Sequence, residues 1–382
     1  MIFALHSLPI VAGTALAAAA MCYCILGIVA VYIGLQAVRS QPPARWPAVT
    51  ILKPLCGDEH QLYECLSSFC DQRYPSFQIV FGVSDGDDPA VDVVNRLQRE
   101  FPAVDMQLVI DRRLHGSSRK VSNLINMMPL VRHDYLVIAD SDVRVVPDYL
   151  ARVVAPLLDA GVGIVTCPYR GAPRPGLWSM LGSLFINEWF TPSVRVAALF
   201  GSRAFAFGAT IAIRREVLAA AGGFASIANQ LADDYRLGER TRRMGLRTVL
   251  SDVVVETCVD ERSLGDLVRH EVRWLRTIRA VRPLGYALSF ITFGVPVALV
   301  GCLLAGGARP AIAMLATTAL ARVMLHWAVR APRTPLLVLP LRDGLTLVLW
   351  AWGFVNRRVH WRDDRYRVAQ DGSALPVVED MT

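Results

Sequence analysis

Three acidic motifs follow one another through the middle of the chain: SDGDD at Ser84–Asp88, DSD at Asp140–Asp142 and DDY at Asp233–Tyr235. An HExxRW-like stretch, His270–Trp274, comes after them. Asp140 and Asp142 lie two residues apart and offer hard oxygen ligands. Mg²⁺ or Mn²⁺ is typically held by one or two such carboxylates together with substrate phosphates. Asp85 can accept hydrogen bonds from a uracil ring or a ribose hydroxyl, although Asp and Gly are also ordinary turn residues. Asp233 and Asp234 open a helix, where one can cap the end and the other can take a proton from an attacking hydroxyl. Which of the two acids takes which part is open at this point. Arg273 can pair with phosphate and Trp274 can pack a sugar or an acceptor.

Positioning these groups calls for strands that end at them. Apolar, β-rich runs fall at Val49–Lys53, Gln78–Val83, Met106–Ile110, Tyr135–Ala139, Gly163–Cys167, Ala206–Ile213 and Thr248–Val255. Helix-like stretches alternate with them at Glu59–Asp71, Pro89–Phe101, Val121–Met127, Pro147–Leu158, Leu231–Met244 and Leu264–Ala280. That alternation predicts α/β layers. Asp85 and Asp140 each follow an apolar strand directly, at the carboxyl edge where open α/β sheets bind ligands. The helix with the RW pair carries Arg269, Arg273, Arg276 and Arg279 at spacings of four, three and three, as an interfacial amphipathic helix would.

Hydrophobic blocks flank this region. Leu8–Leu35 holds no charged residue and exceeds the roughly 20 residues a span needs. A signal peptide would have a basic start and a shorter apolar core. Arg39 and Arg45 follow the block and nothing basic precedes it, which predicts an external N-terminus and a cytoplasmic domain. Leu284–Leu304 and Ala311–Val329 read as two further spans. Leu336–Val355 is interrupted by Arg342 and Asp343 behind Pro340, so it is a re-entrant hairpin or a span whose charges face protein. The arginines on both its sides (Arg330 and Arg333, then Arg357, Arg358 and Arg362) favour the hairpin. The expected organisation is an anchor over 1–40, a cytoplasmic catalytic domain over 41–262, the interfacial helix over 263–283, a membrane region over 284–356 and a cytoplasmic tail over 357–382.

Composition agrees. Of 382 residues, 53% are hydrophobic, and the mean hydropathy of +0.37 is too high for an ordinary soluble enzyme. The net charge of +7, from 40 Lys+Arg and 33 Asp+Glu, suits an anionic leaflet. No basic run interleaves with aromatics, which argues against nucleic acid as a partner. The eight cysteines include no CxxC pair, so neither a zinc site nor a disulfide framework is expected.

Taken together, Asp85, the DSD of Asp140–Asp142, Asp234 and Arg273-Trp274 resemble the conserved acid series and (Q/R)xxRW motif of inverting GT-A glycosyltransferases. KPLCG at Lys53–Gly57, DDPA at Asp87–Ala90, RKVSNL at Arg119–Leu124, FGATIAIRRE at Phe207–Glu216 and PLRD at Pro340–Asp343 resemble the ceramide glucosyltransferase group, glycosyltransferase family 21. Within that group the likeness is strongest to the bacterial enzymes of hopanoid biosynthesis. One position departs, because His270 stands where the motif has Gln or Arg.

The resemblance implies a GT-A (Rossmann-like) domain with N- and C-terminal transmembrane helices in the bacterial inner membrane. It implies a divalent metal on Asp140 and Asp142, and a UDP-sugar held by Asp85, Asp87, Lys120, Asn123 and Asp140. Asp234, in the place of the family's acid immediately before the aromatic Tyr235, would be the general base, with Asp233 as the cap, and Arg273 and Trp274 would act with it in inverting transfer to a membrane lipid. The expected pair is UDP-N-acetylglucosamine and a bacteriohopanetetrol-type lipid, with UDP-glucose and ceramide as the alternative. A catalytically silent nucleotide-binding membrane protein would have lost one of the acids, and a processive polysaccharide synthase would carry more spans.

Overall fold

The computed structural model describes residues 2–35, 45–57, 59–203, 205–329, 334–355, 358–361, 364–368 and 374–376. Arg39, Arg330, Arg333, Arg357 and Arg362, on which part of the topology reading rests, lie outside them. The chain forms two compact units. One, helical, comprises Met1–Ala37, Pro173–Gly201 and Glu261–Arg365; the other, sheet-based, comprises Val38–Ala172, Ser202–Asp260 and Tyr366–Thr382.

After α1 (Ile2–Leu35) come β1 (Val49–Pro54), α2 (Leu62–Cys70), β2 (Phe77–Val83), α3 (Ala90–Glu100), β3 (Asp105–Ile110) and α4 (Arg119–Met127). Next are β4 (Tyr135–Ile138), β5 (Val143–Arg144), α5 (Tyr149–Val154), β6 (Val162–Thr166) and β7 (Tyr169–Pro173). The helical unit then contributes α6 (Leu177–Leu184), a π-helix (Phe185–Phe190) and α7 (Thr191–Leu199). The sheet unit resumes with β8 (Ile211–Arg214), α8 (Arg215–Ala220), α9 (Asp233–Arg243), β9 (Arg247–Leu250) and β10 (Val255–Val259). Last come α10 (Leu264–Val281), α11 (Pro283–Leu288), α12 (Gly294–Leu304), α13 (Arg309–Ala328) and α14 (Val338–Trp352), then short strands β11 (Arg358–Trp361), β12 (Asp364–Val368) and β13 (Ala374–Pro376).

In the sheet unit seven strands run in the order β3-β2-β1-β4-β8-β6-β9. β1 is parallel to both β2 and β4, while β8 is antiparallel to its neighbours. β1 is buried throughout, as are most of β2 and β4, which is why they read as unbroken apolar runs. Leu52, Val80, Leu136, Ile138, Ile164 and Ile213 pack with Leu124 and Met127 of α4 in one core. The chain order turns at β1, so the crevice beyond the ends of β1 and β4 is a topological switch point. A second sheet, β5-β10-β7, adjoins the DSD segment.

Two expected strands come out differently. Within Ala206–Ile213 only Ile211 onward is strand, because Phe207–Thr210 closes as a turn, with Thr210 N–H donating to the Phe207 carbonyl at 3.1 Å. Thr248–Val255 divides between β9 and β10, in different sheets. Ser251 Oγ accepts the Val253 N–H at 3.1 Å and ends the first strand. β5, β7, α6, the π-helix, α7 and α8 were not anticipated.

In the helical unit, Leu8–Gly34 and Arg309–Ala328 are long and apolar enough to cross a membrane. The expected span Leu284–Leu304 is bent: Pro283–Thr292 and Gly294–Leu304 meet at 76°, in the manner of a broken span or a re-entrant loop. Phe293 leaves helical geometry at the break, and its buried ring stacks on Trp189 at 5.8 Å. α1 and α12 approach through small residues. A Cβ on Gly13 would stand 2.4 Å from the Gly301 carbonyl oxygen, and one on Gly301 2.8 Å from Ala17 N, so backbones meet where side chains would clash. α14 has 15 residues, about 22 Å of helix against a hydrocarbon core of about 30 Å. Its charged pair does face protein: Arg342 is 2% exposed and Asp343 pairs with Arg322 at 2.8 Å.

Candidate active site

The site grows from the ends of β1 and β4. Lys53, near the end of β1, is fully buried; its Nζ donates to the Asp140 carbonyl and sits 3.9 Å from the Phe69 ring centre. Burial pulls its pKa down to about 8, against the opposing pull of Cys65, Asp142 and Asp140. Lys53 thus fixes the backbone that presents the DSD motif. Nothing in the sequence reading gave it that task.

Asp142 is oriented from β10. Thr257 Oγ1 donates to Asp142 Oδ2 at 2.6 Å, and Cys258 N–H donates to the Asp142 carbonyl at 2.9 Å. The register of β5 on β10, Val143 opposite Thr257, brings these distant residues together. Cys65 Sγ lies 3.3 Å from Cys258 Sγ, so two thiols 193 residues apart stand beside the motif as a free pair.

Asp140 joins a denser cluster. Lys120, in the first turn of α4, places Nζ 2.5 Å from Asp140 Oδ1 and 3.7 Å from Asp233 Oδ2. Burial alone would depress this lysine; Asp140, Asp233 and Asp234 outweigh it and hold it above its ordinary range. Asp234 accepts the Gly208 N–H at 2.8 Å and the Tyr235 N–H at 2.7 Å. Desolvation first, and then repulsion from Asp233, push Asp234 up to about 7 against the pull of Lys120. A carboxyl with that pKa is matched to proton acceptance near neutrality. Gly208 permits this close approach, since a Cβ there would stand 3.1 Å from both Asp140 Oδ2 and Lys120 Nζ.

Asp233 does not cap α9. The N-cap is Ala232, with no side-chain cap bond; Asp233 stands one residue inside, where its charge favours the helix dipole and faces Lys120.

Around the SDGDD loop, Asp85 pairs with Arg112 at 2.6 Å, which holds its carboxyl below the usual range. Asp87 is exposed, and its N–H donates to Asp85 Oδ1 at 3.2 Å. Asp88, given no role of its own within SDGDD, accepts the N–H of Gly57 at 3.0 Å and of Ala90 at 2.9 Å, tying the KPLCG loop to the start of α3. Asn123 is buried, and its Nδ2 donates to the Gly82 carbonyl at 2.7 Å. A Cβ on Gly82 would overlap the Asn123 amide at 2.2 Å, so glycine is required for that approach.

The RW helix belongs to the helical unit. Ser263 Oγ caps α10 by accepting the Asp266 N–H at 3.1 Å. Leu267, Glu271, Val272 and Leu275 form its buried face, the i, i+4, i+8 stripe of an amphipathic helix. Trp274 packs 6.1 Å from the ring centres of Phe185 and Phe190 and meets His270 edge-on at 4.9 Å. The departing residue, His270, places Nδ1 2.6 Å from Glu261 Oε1. Arg273 lies partly exposed on the same helix.

A mixed sheet ending in acids at its switch point, with apolar helices on either side in the chain, defines a GT-A-type glycosyltransferase associated with a membrane. The model of glycosyl transferase family 21 matches residues 13–374; the chain belongs to that family. Ceramide glucosyltransferase 3 of Caenorhabditis elegans is 22% identical over 240 residues, 62% of this chain and 52% of the relative. Ceramide glucosyltransferase of Komagataella phaffii is 34% identical over 116 residues, 29% of this chain and 23% of the relative. The chain thus spans about half or less of the curated relatives it matches. In fold it is similar to the mannosyltransferase PcManGT from Pyrobaculum calidifontis, solved in complex with GDP-Man and Mn²⁺. The TM-score is 0.54 at 23% identity, covering 90% of this chain and 98% of that one.

Proposed function

We propose that the chain transfers a sugar from a UDP-sugar to a hydroxyl of a membrane lipid, inverting the anomeric carbon. The observation that carries this is Asp234, fixed by two backbone N–H groups beside Gly208, Asp140 and Lys120 and carrying a pKa of about 7. It takes the proton of the lipid hydroxyl as that oxygen bonds to C1 and UDP departs from the opposite face.

Asp140 and Asp142 fit a divalent cation. Acids outnumber cations around them, with Lys120 beside Asp140 and Thr257 orienting Asp142. An ion held by these two carboxylates would have its coordination completed by the donor diphosphate. Mg²⁺ or Mn²⁺ held there would offset the charge developing on the leaving diphosphate. Lys120 holds Asp140 in place and offers a point charge to phosphate. Asp85 and Asp87 face the nucleoside, with Arg112 yielding to it. Asn123 shapes the strand edge beneath the donor. Arg273 and Trp274 serve phosphate and acceptor.

The donor we assign is UDP-N-acetylglucosamine and the acceptor a bacteriohopanetetrol-type lipid, in a bacterial inner membrane with the sheet unit on the cytoplasmic side. Named relatives that are ceramide glucosyltransferases favour a second reading, UDP-glucose and ceramide. Incubating purified protein with labelled UDP-sugars and a panel of lipids, then identifying products by mass spectrometry, decides between them. Transfer to no lipid at all would refute both.

A further inference from the structure

Two thiols that the transfer mechanism does not use stand beside the DSD motif. Cys65 on α2 and Cys258 on β10 are both free, and their Sγ atoms lie 3.3 Å apart although 193 residues separate them. Cys258 Sγ also lies 3.6 Å from Gln61 Oε1. A carboxamide oxygen accepts and does not donate, so the Cys258 S–H is directed at Gln61 and the Cys65 S–H at the Cys258 sulfur.

The two differ in access. Cys65 is fully buried on the face of α2 that also buries Leu62, Leu66 and Phe69, whereas Cys258 is partly exposed. A small oxidant arriving from solvent therefore meets Cys258 first, and Cys65 stands where a resolving thiol belongs. Disulfide sulfurs are about 2.0 Å apart, so the pair must close by about 1.3 Å. Packing leaves Cys65 little room, and most of that movement falls on Cys258 and its strand. There the Cys258 N–H donates to the Asp142 carbonyl at 2.9 Å, and Thr257 Oγ1 donates to Asp142 Oδ2 at 2.6 Å. A shift of about 0.5 Å takes the first of these beyond the roughly 3.2 Å of an ordinary N–H···O bond. Closure therefore acts on a carboxylate that the proposed function gives to the metal.

We propose that Cys65 and Cys258 form a reversible thiol–disulfide site for hydroperoxide oxidants, and that closing it loosens the hold of Asp142 on the metal. The second half rests on the proposed metal role of Asp142; the first stands without it. Cys258, its proton released to solvent, attacks one peroxide oxygen. The S–O bond forms, the O–O bond breaks, and the departing hydroxide takes a proton from solvent to become water. Cys65 Sγ then attacks the Cys258 sulfur. The S–S bond forms, the S–O bond breaks, and the hydroxide leaves as water with the Cys65 proton. Two thiols have lost two electrons and two protons, and hydrogen peroxide has become two waters. A dithiol reductant reverses the bond by exchange.

Full-length protein in detergent is treated with hydrogen peroxide, alkylated and mapped by mass spectrometry without reduction. A cross-linked peptide pair holding Cys65 and Cys258 should appear, be released by dithiothreitol and be absent from Cys65→Ser. In parallel, Mn²⁺ binding in the presence of UDP is followed by the electron paramagnetic resonance of free Mn²⁺. The oxidised protein should bind Mn²⁺ about 10–100-fold more weakly, and dithiothreitol should restore it. Cys65→Ser should bind like the reduced wild type before and after peroxide, and Cys65→Ala, which buries no hydroxyl, should do the same. Absence of the cross-link from folded, peroxide-treated protein would overturn the proposal. So would a cross-linked protein whose Mn²⁺ affinity is unchanged. Failure of the reduced protein to bind Mn²⁺ with UDP would instead refute the metal assignment under the proposed function, and the mapped cross-link alone would then decide the thiol site.

Discussion

At the sheet edge Asp140, Asp142, Asp233 and Asp234 share two lysines, Lys53 and Lys120, whereas in the helical unit Glu188, Asp343 and Glu271 meet two arginines and a histidine. The lysines are point charges, and Lys53 spends its hydrogen bond on a backbone carbonyl. The arginines grip Asp343 and Glu271 through paired N–H groups. One cluster is left short of positive charge and therefore calls for a cation and a diphosphate. The other has most of its charge compensated in place by paired guanidinium groups, and it fastens helices to one another. Similar side chains thus serve opposite ends, decided by how far their charge is compensated.

The comparison can be broken most sharply by taking the cation away. EDTA should abolish transfer and added Mg²⁺ or Mn²⁺ restore it, and Asp142→Ala should be inactive yet inserted and folded. Full activity in chelator would mean that the sheet edge does not need its missing charge.

Asp234→Asn should lower kcat by about 10²–10⁴-fold with UDP-sugar binding little changed. The same variant should melt no lower than the wild type at pH 8. The sign follows from linkage: a carboxyl whose folded pKa is raised from 3.8 to about 7 binds its proton more tightly when folded. Its ionisation therefore costs stability as pH rises through that interval. In the wild type, activity should fall about tenfold per pH unit below about 7 as the base is protonated. Flat activity down to pH 5 would remove Asp234 from the role.

In the helical unit, Glu271→Gln leaves Arg342 buried without its partner. A loss of about 3–5 kcal/mol is expected, and an Arg342→Met/Glu271→Met double variant should recover most of it. Thermal melting in detergent reads both. A single variant as stable as the wild type would show that the pair is not needed.

Thr257→Val should raise the metal concentration needed for half-maximal activity by about 10–100-fold, as loss of a group that orients a metal ligand does. An unchanged titration would show that Asp142 needs no orienting. The mildest effect belongs to Asp233→Asn. With Asp233 absent from the cap, the variant should melt within about 0.5 kcal/mol of the wild type. By relieving repulsion it should shift the acidic limb of the pH profile to lower pH.

The strand ends bearing Asp85 and Asp140 were legible because doubly buried parallel strands write themselves as apolar runs that stop at the motif. The roles around them were not. Lys53 closes an apolar strand, and only the third dimension shows its ammonium turned onto Phe69 and the Asp140 carbonyl. Thr257 lies 115 residues from the carboxylate it orients, a pairing made by the β5–β10 register rather than by any local signal. Asp233 read as a cap because its type favours caps, but the helix begins one residue earlier than that reading needs. The bend at Phe293 within the 284–304 block was not legible because hydropathy carries no record of it. Glu188 drew no attention between aromatic residues in a segment whose helices were not anticipated.

The Glu271–Arg342 pair has a mechanical consequence. Glu271 lies on α10, the helix that carries Arg273 and Trp274, and Arg342 lies on α14 within the apolar C-terminal region. Two short parallel bonds between planar groups resist both rotation and sliding, so α10 cannot turn about its axis unless α14 moves with it. At about 100° per residue, a small roll transmitted through Glu271 re-aims Trp274 by the same angle. The orientation of the RW motif is therefore coupled to the placement of α14, and turnover in lipids of graded chain length tests whether the bilayer acts through that coupling.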